Sequence, residues 1–170
     1  RRATDVPLDV HLMVANPEAL LPAFAAAGAD SLTFHVEAVA DPGRTLDSIR
    51  RLGLRAGIAL RPATSPDAVG SFLDRADLIL VMTVEPGYSG QAFLPSSPEK
   101  IRDVRRRMEA ALSTARLQVD GGIDAETAPR AAAVGADVFV AAKAVFRHPQ
   151  GIAAGVAALR RAIAPAPAER

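Results

Sequence analysis

Cysteine and tryptophan are absent from this chain, and aromatic residues make up only 4% of it. Without cysteine the chain can form neither disulfides nor thiolate metal sites. Net charge is also nearly absent, at +1, so we expect no electrostatic attraction to nucleic acid or to an anionic membrane. No apolar run approaches the roughly 18 to 20 residues that cross a bilayer, and no apolar signal-peptide core follows the N-terminus. These absences predict a cytoplasmic protein that binds neither nucleic acid nor membrane.

Aliphatic residues are what the chain has in abundance. Hydrophobic residues make up 49% of its 170 residues, and alanine, valine, leucine and isoleucine far outnumber the aromatics. This length and composition predict one domain with a buried core, because a disordered chain would be poor in aliphatic residues and rich in net charge. We expect the domain to span residues 1–163 and a flexible, proline-containing tail to span residues 164–170.

Short aliphatic runs alternate with amphipathic stretches, which is the rhythm of a parallel sheet with crossover helices. Six strands are predicted, at Leu8–Leu12, Ser31–Val36, Ala56–Leu60, Leu78–Val84, Leu117–Asp120 and Asp137–Ala141. Six helices are predicted, at Pro17–Ala27, Thr45–Leu52, Pro66–Asp74, Ser97–Leu112, Ala125–Val134 and Gly151–Ile163. Asn16, Ser65 and Ser97 each precede a proline, and we expect each of them to cap the helix that follows. Gly28 and Gly135 are expected to end helices in the left-handed conformation.

The unusual polar residues of the sequence stand at the predicted strand ends. They are His11, His35, Glu37, Glu85 and Asp120. TIM barrels carry their chemistry at the carboxyl ends of parallel strands, so this pattern favours a barrel. A doubly wound open sheet is the alternative architecture that the pattern leaves open. We expect His35 to line the site, and we assign no catalytic role to Glu37 or Glu85.

Two of these strand ends suggest chemistry. His11 could offer a ring nitrogen to a metal, although a lone histidine at a strand end is more often structural. Asp120 precedes Gly121 and Gly122, an arrangement that places an acid/base group or metal ligand beside exposed backbone N–H groups. Those N–H groups could hold a phosphate, and a simple tight turn is the alternative interpretation.

Two further segments suggest ligand binding. The run at Val81–Phe93 contains proline, glycine and serine after a buried strand, which is typical of a structured loop that closes over a ligand. Val140–Phe146 predicts a short helix directly after the last strand. Barrels that bind phosphate often do so at such a helix.

Five segments resemble, in order, the motifs of the ribulose-phosphate 3-epimerase family. They are His-Leu-Met at His11–Met13, Phe-His-x-Glu at Phe34–Glu37, the loop at Met82–Gln91, Val-Asp-Gly-Gly at Val119–Gly122 and the turn at Ala142–Phe146. The resemblance covers essentially the whole chain up to the tail. It implies an α/β fold, the TIM (β/α)8 barrel of the ribulose-phosphate-binding type, with only about six βα units present here.

The resemblance also implies an activity. Family members are isomerases of the pentose phosphate pathway that interconvert D-ribulose 5-phosphate and D-xylulose 5-phosphate through an enediolate. One divalent metal ion (Zn, Fe, Mn or Co) would polarise the substrate carbonyl. Asp120 would be the catalytic acid/base and, with His11, a metal ligand. The substrate-binding residues would be His11, Met13, Met82, Ser89, Gly90, Gln91, Gly121, Gly122, Ala142 and Lys143. For a lone methionine such as Met13 or Met82, core packing is the ordinary alternative.

The sequence departs from the family pattern at its phosphate-binding positions. Ser89-Gly90 replaces a usual Gly-Gly in the long loop, and Ala142-Lys143 replaces a usual Gly-Ser in the last turn. The β-carbon of Ala142 would crowd a phosphate, whereas Lys143 would add a positive charge. We therefore expect phosphate binding to survive with a changed affinity.

A larger departure concerns the start of the barrel. The family's His-x-Asp-x-Met-Asp-Gly segment, with a second metal histidine and a second acid/base aspartate, has no match in this sequence. We therefore expect the first two βα units to be missing and the activity to be impaired. An incomplete sequence is the favoured interpretation, and a short protein that completes its barrel by oligomerising is the alternative. The complete protein is expected to be a homo-oligomer that binds a small sugar phosphate.

Other functions stay open at this point. A 3-epimerase of a six-carbon ketose phosphate would use the same residues, and a non-catalytic phosphosugar-binding barrel fragment would bind metal weakly or not at all. A metal-free decarboxylase or aldolase would need a lysine at a strand end, and neither Lys100 nor Lys143 lies within a predicted strand. The basic cluster formed by Lys100, Arg102 and Arg105–Arg107 is predicted to be a solvated helix face.

Overall fold

The computed structural model describes residues 1–88 and 90–164. These residues form the strands β1 (Asp9–Leu12), β2 (Ser31–His35), β3 (Arg55–Leu60), β4 (Leu78–Met82), β5 (Arg116–Asp120) and β6 (Val138–Val140). Their α-helices are α1 (Leu21–Ala26), α2 (Pro42–Arg51), α3 (Ser97–Ala110), α4 (Thr127–Ala132), α5 (Lys143–Phe146) and α6 (Ile152–Ile163). Short 3-10 helices lie at Glu18–Leu20, Val36–Ala38 and Pro66–Phe72. The predicted strands are confirmed with bounds that differ by at most two residues, whereas the predicted helix at Pro66–Asp74 is a 3-10 helix.

The described strands form one parallel sheet in the order β1-β2-β3-β4-β5-β6. Each strand therefore lies beside the next one along the chain. A doubly wound sheet would reverse its winding direction part-way and place the first strand in the interior of the sheet. The sequential order excludes that alternative and confirms the barrel-type winding.

Side chains from β1 and β5 meet, although three other strands separate these two in the sheet. The Gln118 amide donates to Asp9 at 3.0 Å, and His11 lies 3.4 Å from Asp120. Strands in a flat sheet are about 4.8 Å apart, so β1 and β5 would then be separated by roughly 19 Å. The sheet is therefore strongly curved, and the predicted barrel with about six βα units is confirmed as an open part-barrel.

The curvature gives the sheet two different faces. The outer face carries large buried side chains that pack against the helices, among them Leu32, Phe34, Ile58 and Leu117. The inner face carries a smaller apolar cluster of Ala59, Leu80, Met82 and Val84, together with polar side chains from β1, β2 and β5. Alternation along each strand thus sends aliphatic residues outward and places the candidate site residues inside.

Two of the three predicted helix caps do not form. Ser65 caps the 3-10 helix that follows it, as predicted. Asn16 does not cap the first helical turn, because Pro17 occupies the N-cap position with helical backbone angles. Ser97 is itself the first residue of α3, and its predicted cap is therefore wrong. Asp41 caps α2, which the sequence did not predict. Its carboxylate accepts the backbone N–H of Arg44 at 3.0 Å.

The turns from helix to strand share one arrangement of a hydrogen-bonded aspartate, which a glycine precedes in two of them. Gly28 and Gly135 have φ angles of 92° and 106°, which confirms their predicted left-handed conformation. Two residues further on, Asp30 and Asp137 each accept a backbone N–H from within one residue of the start of the preceding strand, and Asp77 does the same after β3 and the 3-10 helix at Pro66–Phe72. These bonds run to Asp30 from Leu8 at 2.7 Å, to Asp77 from Ala56 at 2.8 Å, and to Asp137 from Leu117 at 2.8 Å.

Several side chains of the basic cluster on α3 form hydrogen bonds with other residues of the fold. For these members the prediction of a solvated face is wrong. Arg105 donates to Asp137 at 2.6 Å and Arg107 donates to Asp103 at 3.0 Å. Lys100 is half-buried and donates to backbone carbonyls of the loop after β3.

α6 ends at Ile163, where the predicted helix at Gly151–Ile163 also ends, and the span of the domain stays a prediction. The predicted tail at 164–170 lies, beyond residue 164, outside the described residues. None of the described helices is both long enough and apolar enough to cross a membrane.

Candidate active site

The side chains of His11 and Asp120 meet at the carboxyl ends of β1 and β5. The Nδ1 atom of His11 lies 3.4 Å from the Oδ2 atom of Asp120, and the two side chains are 14% and 20% exposed. The two residues are 109 positions apart in the sequence, and the curvature of the sheet brings them together. The predicted pairing of these residues at one strand-end site is therefore present in the geometry.

Behind His11 lies a second histidine. The Nε2 atoms of His11 and His35 are 2.9 Å apart, and the Nδ1 atom of His35 lies 3.3 Å from the Oε2 atom of Glu37. We call Glu37, His35, His11 and Asp120 the polar chain. His35 is buried and is not among the residues that line the large cavity beside Asp120, so the expectation that it lines the site is wrong. It contacts His11 instead, because its strand runs directly beside β1.

Glu37 is the most strongly held carboxylate of the polar chain. Its Oε1 atom accepts the backbone N–H of Arg61 at 2.9 Å and the Thr64 hydroxyl. Burial alone would raise the pKa of Glu37, but the hydrogen bonds from His35, Arg61 and Thr64 outweigh it and lower the pKa to about 2. Glu37 is therefore ionised at neutral pH and can only accept hydrogen bonds.

The two glycines after Asp120 are required by their surroundings. Gly121 and Gly122 have φ angles of 123° and 63°. A β-carbon on Gly121 would lie 2.9 Å from the Val84 nitrogen, and one on Gly122 would lie 2.8 Å from the Phe93 Cα atom. The long loop thus packs directly on the backbone of this turn, and any larger residue would displace it.

The long loop after β4 is closed by a side chain. The Gln91 amide donates to the carbonyl oxygen of Glu85 at 2.7 Å and to that of Tyr88 at 3.1 Å. Gly90 has a φ angle of 93°. Ser89, which the sequence predicted as a phosphate-binding residue, lies outside the described residues.

The turn after β6 adds Lys143 to the lining of the cavity at this end of the sheet. Ala142 is the N-cap of the short helix α5, and Lys143 is its first residue. We call Gly90, Gly121, Gly122 and Ala142 the backbone wall, because each lines the cavity and has at most a methyl group as its side chain. Burial alone would raise the pKa of nearby Asp124, but hydrogen bonds from Thr127 and Glu126 and the charge of Lys143 lower it.

A cavity of about 820 Å³ joins these elements. Its lining includes Asp120, the long loop, the double-glycine turn and the start of α5. Ten of the predicted site residues lie in the described part of the chain, and the lining includes nine of them: Met13, Met82, Gly90, Gln91, Asp120, Gly121, Gly122, Ala142 and Lys143. The tenth, His11, reaches the cavity through its contact with Asp120. Met82 is otherwise buried in the inner apolar cluster, so its packing role is also present.

His11 and Asp120 suit a divalent metal in kind but not in number. Imidazole nitrogen and carboxylate oxygen are ordinary ligands of such ions, whereas protein sites usually provide at least three. Among the described residues, no group of three or more histidine, aspartate or glutamate side chains is arranged to hold a metal ion. The described residues therefore provide fewer ligands than a protein metal site usually has.

Sequence reasoning missed the residues that support the polar chain from outside. Lys100 donates to the carbonyl oxygens of Arg61 at 2.5 Å, Pro62 at 3.1 Å and Thr64 at 2.5 Å. Burial lowers the pKa of Lys100, and the negative charges of Glu37 and Glu85 partly offset this effect. No local pattern signals these contacts, because the partners are 36 to 39 positions apart.

A sequence profile of the ribulose-phosphate 3 epimerase family matches residues 1–146. The chain belongs to the ribulose-phosphate 3-epimerase family. The matched region contains all five motifs on which the resemblance was based, so the family prediction is confirmed. Members of this family generally depend on a divalent metal.

Individual relatives agree with the profile. The chain is 44% identical over 159 residues to a ribulose-phosphate 3-epimerase of Mycobacterium leprae, a match that covers 94% of this chain and 70% of the relative. It is 45% identical over 143 residues to a ribulose-phosphate 3-epimerase of Escherichia coli K12, covering 84% of this chain and 64% of the relative. The chain thus spans about two thirds of the length of these two family members.

Similarity to solved structures supports the fold. A crystal structure of KGPDC from Streptococcus mutans matches with a TM-score of 0.70 at 16% sequence identity, covering 94% of this chain and 73% of the other. At this identity the match concerns the fold alone, and it agrees with a part of a TIM barrel.

Proposed function

We propose that this protein is an isomerase that interconverts D-ribulose 5-phosphate and D-xylulose 5-phosphate. The observation that carries the proposal is the approach of Asp120 to His11 at the mouth of a cavity whose other side is the backbone wall. A carboxylate beside a phosphate-binding surface is what proton abstraction next to a sugar-phosphate carbonyl requires. The 44% and 45% identities to ribulose-phosphate 3-epimerases support the same substrate.

Asp120 is the proposed acid/base group. Its carboxylate takes the proton from C3 of the substrate, and the electron pair of the broken C–H bond moves to form the enediolate with the C2 carbonyl. Return of a proton to C3 on the opposite face gives the epimer and requires a second acid. Asp124, the other aspartate of the cavity lining, is not that acid, because its carboxylate accepts the N–H groups of Glu126 and Thr127, both at 2.9 Å.

The rest of the cavity binds the substrate in this proposal. Met13 and Met82 shield one side of the enediolate from water, and Gln91 holds the long loop closed through its carbonyl contacts. The phosphate lies against backbone N–H groups of the loop at Ser89-Gly90, of Gly121-Gly122 and of Ala142-Lys143. The Lys143 ammonium adds a positive charge on that side.

His11 and Asp120 are the proposed ligands that this chain contributes to one divalent metal ion, with Zn, Fe, Mn and Co all compatible with their donor atoms. When bound, such an ion would polarise the C2 carbonyl and stabilise the negative charge of the enediolate. We also propose a cytoplasmic location, a homo-oligomeric assembly, and no interaction with nucleic acid or membrane, which stay predictions.

The proposal is tested by incubating the full chain with D-ribulose 5-phosphate in D2O, with Mn²⁺ and with Zn²⁺ separately. Proton NMR should show deuterium entering C3 of the substrate, because Asp120 alone can exchange that proton. D-xylulose 5-phosphate should form only where a second acid returns a proton on the opposite face. Preferential conversion of a six-carbon ketose phosphate would assign that substrate instead.

One alternative function is favoured by a specific observation. The described residues supply two metal donors rather than three, which suits a non-catalytic barrel that binds a phosphosugar. Calorimetric binding of ribulose 5-phosphate without deuterium incorporation would establish this alternative and contradict the isomerase.

A further inference from the structure

Arg147 is a cation of the cavity that the proposed function does not use. It is the C-cap residue of α5, and its backbone N–H donates to the carbonyl oxygen of Lys143 at 3.0 Å. This bond places Arg147 one helical turn after Lys143, so the two side chains start from the same face of α5. Both residues are exposed, and both line the cavity that contains Asp120. Two positive charges therefore stand together at one end of the cavity.

These two cations are poorly compensated within the described residues. No ion pair of residues 1–88 and 90–164 includes either of them. The charge of Lys143 acts on the Asp124 carboxylate, which is itself held in the turn before α4 by backbone N–H groups at 2.9 Å. The charge of Arg147 has no counterpart of this kind in the described part of the chain.

The arrangement is unfavourable unless an anion lies between the two side chains. Like charges four residues apart on a helix repel each other and destabilise it slightly. On a convex helix face, water and salt would screen the two charges. Here both residues border a concave site, whose lining beside them is the backbone wall. A bound anion would be attracted by both charges at once and would offset their repulsion.

The Arg147 side chain lies within reach of the turn at Ala142-Lys143. Side chains of helical residues point back towards the start of their helix and cover the turn that precedes them. One helical turn is about 5.4 Å long, which an extended arginine side chain spans. Arg147 lies directly after the last family motif and one residue beyond the region that the family profile matches. Its charge is therefore a feature of this chain rather than of the matched profile.

A phosphate monoester has the chemistry that such a pair recognises. It carries a charge of about −1.5 to −2 at neutral pH, so two cations can act on it. The arginine guanidinium presents parallel N–H donors that match two phosphate oxygens, whereas a lysine ammonium acts as a point charge. Lys143 would thus supply charge, and Arg147 would supply charge together with a fixed orientation.

We propose that Arg147 is a substrate-binding residue that, together with Lys143, holds the phosphate group of the substrate against the backbone wall. The inference rests on the proposed function, because that function places a phosphate at this wall. It also gives the departure at Ala142 a physical counterpart. The methyl group of Ala142 takes up room beside the phosphate, and the two added charges strengthen binding where this methyl group weakens it.

Binding of inorganic phosphate tests the assignment without any turnover. The full chain, labelled with ¹⁵N, is titrated with phosphate at constant ionic strength, and the amide signals of Gly121 and Gly122 are followed by NMR. We expect saturable shifts in the wild type and an affinity lowered about threefold to tenfold in Arg147→Ser. Arg147→Lys should lose less, because it keeps the charge but not the paired donors. Arg161→Ser is the matched control, since it removes the same charge from an exposed position of α6 outside the cavity lining, and it should bind phosphate as the wild type does.

The outcomes separate this inference from the proposed function. Equal phosphate affinities in wild type and Arg147→Ser, or equal losses in Arg147→Ser and Arg161→Ser, would overturn the role of Arg147. A wild type without shifts at Gly121 and Gly122 would overturn it together with the phosphate site of the proposed function. Phosphate binding that depends on Arg147, without C3 exchange by the wild type, would keep the inference and remove the isomerase. Exchange at C3 with a phosphate affinity independent of Arg147 would do the opposite.

Discussion

The two sides of the cavity are built on different principles. The polar chain depends on the hydrogen-bonding groups of particular side chains, and each of these side chains contacts the next one. The backbone wall depends on the absence of side chains, because Gly121 and Gly122 leave room for the long loop to pack on their main chain. One side is therefore sensitive to charge and hydrogen bonding, and the other to volume.

This difference follows from the tasks that the two sides perform in the proposed reaction. Moving a proton at carbon needs an acid/base group with a defined orientation, which only side chains can supply. Holding a phosphate needs N–H groups at close range, which main chain supplies when no β-carbon intervenes. The comparison predicts different responses to substitution on each side.

The largest effect on stability is expected at the backbone wall. Gly122→Ala places a β-carbon against Phe93 at a φ angle of 63°, and we expect it to lower the free energy of unfolding by about 2 to 4 kcal/mol. Gly53→Ala is the control, because Gly53 also has a positive φ, 79°, but nothing lies within 4 Å of its added carbon. It should cost about 1 kcal/mol. Equal costs in urea unfolding would show that the packing of the long loop on Gly122 is unimportant.

The contribution of the polar chain to the free energy of unfolding should instead depend on pH. The pKa of Glu37 is about 2 in the folded protein, below its ordinary value of 4.5. The stabilisation from its ionised form is therefore complete above pH 4.5 and is lost as the pH falls towards 2. The difference in unfolding free energy between wild type and Glu37→Gln should shrink by about 1 kcal/mol as the pH falls from 4.5 to 2. Glu109→Gln should show no such change, and a difference independent of pH down to 2 would contradict the account of Glu37.

The smallest effect is expected at Lys143, the charged residue that follows Ala142 of the backbone wall. Lys143→Ser should raise the KM for ribulose 5-phosphate about threefold to tenfold and leave kcat unchanged, because a solvent-accessible charge contributes modest, uniform binding. Arg44→Ser, on an exposed position of α2, should leave both constants unchanged. An unchanged KM in Lys143→Ser would remove this lysine from the phosphate site.

Much of this architecture could be predicted from the sequence. The strands were predictable because buried parallel strands are short, almost purely aliphatic runs, as in Leu78–Met82. The pairing of His11 with Asp120 was predictable because both stand at strand ends, and parallel strand ends meet at one side of a barrel. The glycines at Gly121 and Gly122 were visible as a turn.

The remaining features depend on distances that no local pattern encodes. The position of His35 behind His11 follows from the alignment of β1 with β2, which the sequence does not specify. The attachment of Lys100 to the loop after β3 depends on how α3 packs, and a lysine on an amphipathic helix ordinarily faces solvent. The failed caps at Asn16 and Ser97 show that a helix start can shift by one residue when a proline or serine already adopts helical angles.

The central claim is that Asp120 moves the proton at C3, and the rate of solvent-deuterium exchange at C3 of ribulose 5-phosphate tests it most directly. Asp120→Asn should slow exchange about 100-fold to 10,000-fold with the fold retained by circular dichroism. Asp124→Asn is the matched control, since Asp124 lines the same cavity but its carboxylate closes the turn before α4. It should exchange at nearly the wild-type rate. Equal rates in wild type and Asp120→Asn, or loss of exchange in Asp124→Asn instead, would contradict the account.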